Sequence, residues 1–314
     1  KSRAHYWFIG PAVALMILLL IMPIFVAATL SMTDYSLGNS GFNWVGIENY
    51  EKLFSRRSYQ KMFSASLTYV LLVVPISVAL GLGSALLISS LRIGGEMYKA
   101  VFFLPVMATL LAMAIVWEFA LNPIVGVVND VLRSGCDKSL IYGLLSGSWL
   151  GYEPTTSWYG AACIKKFPLW LGDKQYALGT IAFIGIWQGF GFNMVLYLAG
   201  LTSVPRELYH AAHMDGADSA WERFKLVTWP MLGPTNVFVI TISSIRSFQV
   251  FDTVEALTGG GPSKSTYVMV YAMFEKGVKQ NLLGIGSAIT IVFLAFVLIL
   301  TLVQVYFVNR KVHY

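Results

Sequence analysis

The sequence predicts an all-α polytopic membrane protein with six transmembrane helices, and three observations carry that reading. Hydrophobic residues make up 56% of the chain and charged residues only 12%, against roughly 25% charged in an ordinary soluble domain. Mean hydropathy is +0.66, which is more apolar surface than a water-soluble fold can hide. The charged residues also cluster between long apolar runs instead of being spread evenly.

A membrane helix needs about 20 apolar residues. Stretches free of Asp, Glu, Lys and Arg cover 6–33, 62–91, 100–117, 175–205, 226–245 and 280–309. These place spans at roughly 8–31, 64–91, 100–121, 177–202, 233–252 and 284–308. The run after Lys1-Ser2-Arg3 is too long for a signal-peptide core and reads as a first span. A seventh run, 139–152, is short and glycine-containing and reads as interfacial, with Trp149, Trp158 and Trp170 at that level of the bilayer. The chain is read as one transmembrane domain.

Six spans put both termini on one side. If that side is cytoplasmic, the inside segments carry nine Lys/Arg in 51 residues and the outside segments twelve in 120. Density therefore favours cytoplasmic termini, because the positive-inside rule applies best to short loops. The net charge of +6 is scattered over loops, which points to span-flanking charges and away from nucleic acid. Two cysteines exclude a four-thiolate cluster or a disulfide-built scaffold. Cys136 and Cys163 both fall in the long outside segment 122–176. A disulfide between them would contribute about 3 kcal/mol; two unrelated thiols is the alternative.

Catalytic signatures are absent. The Gly259-Gly260-Gly261 run resembles a phosphate loop but has Thr258 and Ser263 where that pattern needs glycines. His210 and His213, one turn apart, lack the companion ligands of a metal site and read as a solvated helix face. No catalytic residue and no metal ligand is assigned, and any ATP the protein spends must be hydrolysed by another chain.

The inside loop 203–232 is more informative. Ser203 is expected to cap a helix with Pro205 in its first turn. That helix runs through Met214 until Gly216 breaks it. Ser219-Ala220-Trp221-Glu222 reads as a capping box opening a second helix, which Pro230 and Pro234 are expected to end. Two short helices joined at a glycine thus project from the membrane. They form either a stiff connector or a surface for a partner.

Here a resemblance becomes specific. The run Pro205-Arg206-Glu207-Leu208-Tyr209-His210-Ala211-Ala212-His213-Met214-Asp215-Gly216-Ala217, followed by Trp229-Pro230, resembles the Glu-Ala-Ala…Gly loop of ATP-binding-cassette importer permeases. In the same order, Val45-Gly46-Ile47-Glu48-Asn49-Tyr50, Phe103-Leu104-Pro105, Asn122-Pro123, Phe251-Asp252 and Thr258-Gly259-Gly260-Gly261-Pro262 resemble the maltose-type carbohydrate permeases over nearly the whole chain. The resemblance implies a bacterial inner-membrane subunit without a cofactor of its own. Its partners would be a second homologous permease, two cytoplasmic ATPase subunits that bind ATP and Mg, and a periplasmic binding protein. It also implies that Glu207, His210, Ala211, Ala212, Asp215 and Gly216 form the element that docks on an ATPase. The family's glutamate before the two alanines is His210 here, so that glutamate's ion pair does not carry over. Glu207, one turn earlier, is the carboxylate available in its place.

For cargo, Gly185, Gln188, Gly189 and Phe192 share one face of the fourth span, and Ser243, Arg246 and Ser247 share one face of the fifth. By count these positions match those that contact sugar in the maltose permease the chain resembles. Close helix packing is the alternative for the glycines and serines. Arg246 stands apart. A charge inside a span costs about 3 kcal/mol and faces a cavity or a partner, and its planar fork matches carboxylate or phosphate. The expected cargo is a sugar or oligosaccharide with an acidic group, such as a uronate of the alginate type; glycerol phosphate is the alternative anion. An ion pair with an acid of the partner subunit is the structural alternative for Arg246. Two rival functions stay open: an ion-coupled secondary transporter, for which Glu118 and Asp252 lie near predicted span ends, and a membrane enzyme or scaffold without transport.

Overall fold

The computed structural model describes residues 4–39, 41–91, 93–129, 131 and 168–311. Cys136 and Cys163 lie outside them. Among the described residues the chain is helical without strands, save one isolated bridge between Thr33 and Trp44. Five helices are long and apolar enough to cross a membrane, and a bent pair makes a sixth if taken as one span. The chain forms two compact units, Lys1–Leu67 with Tyr267–Tyr314, and Thr68–Thr266.

In the first unit, the opening span is Ala4–Met16, a widened turn Ile17–Ile21 with i→i+5 bonding, and Met22–Ser31. Pro23 lies two residues past the widened turn. A proline lacks the N–H and crowds the carbonyl four residues back, and local widening relieves both. The span's side chains are almost wholly exposed, with Leu19 at 65% and Phe25 at 67%. Such a surface is stable only against lipid or another apolar partner. The span packs on the last helix, Leu283–Lys311. A Cβ on Gly284 would collide with the Thr33 carbonyl, so glycine permits that contact. The Val45–Tyr50 motif closes the end of the opening span. Asn49 Nδ2 donates to the carbonyls of Ser31 and Thr33 at 2.9 and 2.8 Å, and Ser31 Oγ meets Tyr50 Oη at 2.7 Å. Terminal helix carbonyls that would otherwise be orphaned are thereby paired.

The Arg57–Ser90 helix starts seven residues before the expected boundary and carries Pro75 within it. In the second unit the central element is the fourth span, Ala177–Thr202, packed on Gly95–Met107 and on Gly233–Phe248. Lipid supplies no hydrophobic drive between helices, so close approach through small residues holds them. A Cβ on Gly191 would overlap the Phe102 carbonyl. Ala85, Ile88, Met194, Tyr197, Leu232 and Val239 form the buried core there.

Two spans depart from the unbroken helices expected. The third is bent by 98° between Gly95–Met107 and Leu111–Ala120. Pro105 removes one backbone donor, and Ala108 and Thr109 are both extended. The fifth, expected over 233–252, has a helix Gly233–Phe248, a non-helical step, and a short helix Asp252–Leu257. Irregular backbone at membrane depth is tolerated only where it is buried in protein or lines a cavity.

Candidate functional site

Both breaks do line a cavity. It has a volume of about 520 Å³ and lies within the second unit, inside the range of roughly 300–1,000 Å³ of small-molecule sites. Its wall includes Ala108 from the third-span bend and residues 249–253 from the fifth-span break. All seven residues expected at the cargo site line it: Gly185, Gln188, Gly189, Phe192, Ser243, Arg246 and Ser247.

The glycines and serines play different parts. A Cβ on Gly185 would collide with Tyr69 Oη, so Gly185 serves packing. Gly189 has its nearest neighbour at 3.9 Å, Ser77 Cβ, and so leaves the cavity open. Ser243 Oγ donates to Asn193 Oδ1 at 2.9 Å, and Asn193 Nδ2 donates to Ser77 Oγ at 3.3 Å. One buried amide thus ties the second, fourth and fifth spans together under the cavity.

Arg246 sits in the last turn of Gly233–Phe248. Its guanidinium lies 4.0 Å from the centroid of the Phe192 ring, a stacking worth about 0.5–2 kcal/mol. Stacking fixes one face of the fork and leaves its edge donors unused. No carboxylate among the described residues pairs with it. Asp252, Gln188 and Gln249 line the same cavity, and none of their side chains makes a hydrogen bond to the described residues. The cavity therefore carries one cation, one anion and two amides whose polar atoms are uncommitted.

The 203–232 loop contrasts with this. Arg206–Met214 is a helix, Gly216 turns the chain at φ +88°, and Ser219 opens the next helix. The capping box is complete: Glu222 N–H donates to Ser219 Oγ at 3.1 Å, and Ser219 N–H to Glu222 Oε2 at 2.9 Å. Those bonds hold the Glu222 carboxyl below its ordinary range. Val204, Ala212, Ala217 and Val227 close a small core with Tyr209 against it, and Tyr209 Oη meets Thr228 Oγ1 at 3.0 Å. His213 Nδ1 lies 3.0 Å from Asp218 Oδ1 across the turn.

Two expectations about this loop are corrected. Ser203 does not cap the first helix. Its Oγ donates to the Gly200 carbonyl at 2.7 Å, finishing the fourth span, and the helix begins after Pro205 without a side-chain cap. Nor does Pro230 end the second helix, which runs on to Met231 and stops there, before the fifth span, as expected. The turn Phe224–Thr228 widens to i→i+5 bonding ahead of Pro230, and Trp229–Met231 continues. Pro234 then sits in the first turn of Gly233–Phe248, where a missing N–H costs nothing. Of the residues expected to dock, Glu207, His210, Ala211, Asp215 and Gly216 are exposed, while Ala212 is buried in the loop's own core. Met214 at 86% and Trp221 at 70% stand out beside them.

Residues 80–313 match the family of binding-protein-dependent transport system inner membrane components. The chain belongs to this family. It is 29% identical over 308 residues to the trehalose/maltose transport system permease protein MalF of Thermococcus litoralis, covering 98% of this chain and 93% of that one. It is 27% identical over 304 residues to a probable ABC transporter permease protein, YurN, of Bacillus subtilis, covering 96% and 94%. It is 26% identical over 311 residues to the sn-glycerol-3-phosphate transport system permease protein UgpA of Agrobacterium fabrum, covering 98% and 96%. The fold matches the crystal structure of a bacterial ABC transporter involved in import of the acidic polysaccharide alginate, with TM-score 0.76 at 20% identity, covering 99% and 96%.

Sequence reading of this permease missed Tyr69, Ser77, Asn193, Gln249 and Asp252 on the cavity wall. Asp252 was placed near a span end because the break before it leaves no trace in an apolar run. Asn193 was legible as a lone amide in a span, one residue from Phe192, but periodicity put it on a different face.

Proposed function

We propose that the protein is a membrane-spanning subunit of an ATP-driven importer for a sugar or oligosaccharide bearing an acidic group. Cargo passes through the cavity walled by the fourth and fifth spans, which opens alternately to each side of the membrane. The observation that carries this reading is Arg246, an arginine within a span whose donors face a cavity and meet no carboxylate among the described residues. A charge within a span is costly unless it faces a cavity or a partner, and the planar fork of an arginine suits an anion there. Relatives named for trehalose and maltose support a saccharide cargo.

The chain itself is non-catalytic and holds no cofactor. ATP and Mg are bound by two partner ATPase subunits, a second permease completes the pathway, and an external binding protein delivers the cargo. The 203–232 helix pair docks on an ATPase with Glu207, His210 and Asp215 outward, and both termini are cytoplasmic. A helix pair closed by its own core and capping box transmits motion as a body. Cys136 and Cys163 are proposed as a pair in the outside segment.

A second reading, glycerol phosphate as cargo, draws on the same Arg246 and on the relative named for that ester. Reconstitution tests the scheme. Uptake into proteoliposomes should require internal ATP and the ATPase subunits. Uptake driven by an ion gradient alone would overturn it.

A further inference from the structure

We propose that Tyr69 is a specificity-determining residue of the cavity, whose phenol hydroxyl pairs with one hydroxyl group of a saccharide cargo. The proposal rests on the reading of this cavity as the cargo site and deepens it by naming a neutral contact on the second span.

Tyr69, Val73 and Ser77 all line the cavity. They stand four residues apart on the Arg57–Ser90 helix, so one stripe of that helix forms this part of the lining. Ser77 Oγ is spent. It donates to the Val74 carbonyl at 3.3 Å and accepts from Asn193 Nδ2 at 3.3 Å. Tyr69 Oη is not. The residue is only 4% exposed, yet its hydroxyl has no hydrogen-bond partner among the described residues. Buried polar atoms in native proteins are nearly always bonded, and one left open calls for a ligand or a water. The oxygen is not sealed in protein either; it keeps an opening onto the cavity.

Gly185 makes the room for it. A Cβ there would lie 2.3 Å from Tyr69 Oη and 3.3 Å from the ring carbon that bears it, so a glycine lets the hydroxyl end of the phenol stand against the fourth span. Phenylalanine would fill the same ring volume without an unpaired oxygen, so packing alone does not account for the hydroxyl. A phenol both donates and accepts, which matches a sugar hydroxyl in either direction. Arg246, on the fifth span, serves the acidic group of the cargo; Tyr69, on the second, meets a neutral part of it. This chain by itself buries Tyr69, so the contact does not depend on what the second permease adds to the pathway.

The test uses the whole assembly, with partner permease and ATPase subunits, purified in detergent without binding protein. Ligand-observed NMR titration measures binding of the methyl glycoside of mannuronate and of its three monodeoxy derivatives. The wild type should bind the parent tighter than one of the derivatives by about 5- to 10-fold, the scale of one neutral hydrogen bond. Tyr69→Phe should lower the parent to the level of that derivative and leave that derivative unchanged, while the other two derivatives fall with the parent. Gly185→Ala, which presses a methyl group on the hydroxyl, should cost the same preference with the tyrosine still in place.

Equal binding of all four probes by the wild type would overturn the assignment, as would no detectable binding. So would affinities unmoved in Tyr69→Phe, the mark of a hydroxyl that holds only water, or an equal fall of all four, the mark of a packing role. Uptake of the parent into proteoliposomes with the binding protein, with and without internal ATP, separates the two layers. ATP-dependent uptake with an unmoved ratio removes Tyr69 alone. The expected ratios without ATP-dependent uptake would uphold the Tyr69 contact and overturn the import reading.

Discussion

The cavity and the 203–232 loop solve opposite problems with similar residues. In the loop nearly every polar group near the turn has a partner. Ser219 and Glu222 cap each other, Tyr209 meets Thr228, His213 meets Asp218, and Arg223 donates to the Asp218 carbonyl. In the cavity Arg246, Asp252, Gln188 and Gln249 are left uncommitted. Bonds satisfied within the chain fix a shape, and bonds left open are available to a ligand. Asn193 marks the border between the two regimes. It lines the cavity, yet its amide is spent on Ser77 and Ser243.

The largest expected effect comes from attacking the open side. Arg246→Leu should abolish ATP-driven uptake of an acidic saccharide while the subunits still co-purify with the ATPase. Unchanged uptake would return Arg246 to a structural role and erase the contrast. Next is the turn that holds the lever. Gly216 at φ +88° tolerates no β-branched residue without strain of about 1–3 kcal/mol. Gly216→Val should therefore lower the melting temperature of the complex and cut uptake more than cargo affinity.

Asn193→Leu strikes the border residue. It leaves two buried hydroxyls without their partner, at a cost of about 1–3 kcal/mol, read as a lower melting temperature. Cargo binding should weaken only a few-fold, because Asn193 positions the wall and spends no bond on the ligand. A loss as large as that of Arg246→Leu would put Asn193 among the ligand contacts. Ser219→Ala removes one cap and should cost about 1 kcal/mol, seen as faster amide exchange over 219–223 with cargo affinity untouched.

The smallest effect is one of pH. Hydrogen bonds from the Ser219 backbone hold the Glu222 carboxyl below its ordinary range. A group whose folded pKa is depressed stabilises above its unfolded pKa and loses that contribution as pH falls through the folded value. Exchange protection at 219–223 should thus persist through mildly acid solution and decline only below the usual glutamate range. In Glu222→Gln that acid-side decline should vanish.

Much of this was legible in the chain. Apolar runs located the five long apolar helices and the bent pair, because a bilayer imposes its length on any segment that crosses it. The capping box was readable because a cap is a contact between residues three apart. Periodicity along two spans named seven cavity residues, since side chains at i, i+3, i+4 and i+7 share a helix face. Local signals failed where a distant partner decides. Ser203 carries the right side chain for a cap, and the Gly200 carbonyl took it instead. Pro230 is a helix breaker by type, and a widened turn absorbed it.

The sequence by itself determined a bundle of membrane helices, a capped helix pair on one loop, and an arginine in a span that had to face something other than lipid. Tertiary structure alone decided where the third and fifth spans break, because an apolar run reads the same whether its backbone is continuous or bent toward a cavity. That decision put Asp252 and Arg246 on the lining of one cavity. Which side chains share a cavity depends on three-dimensional proximity, which no spacing along the chain encodes.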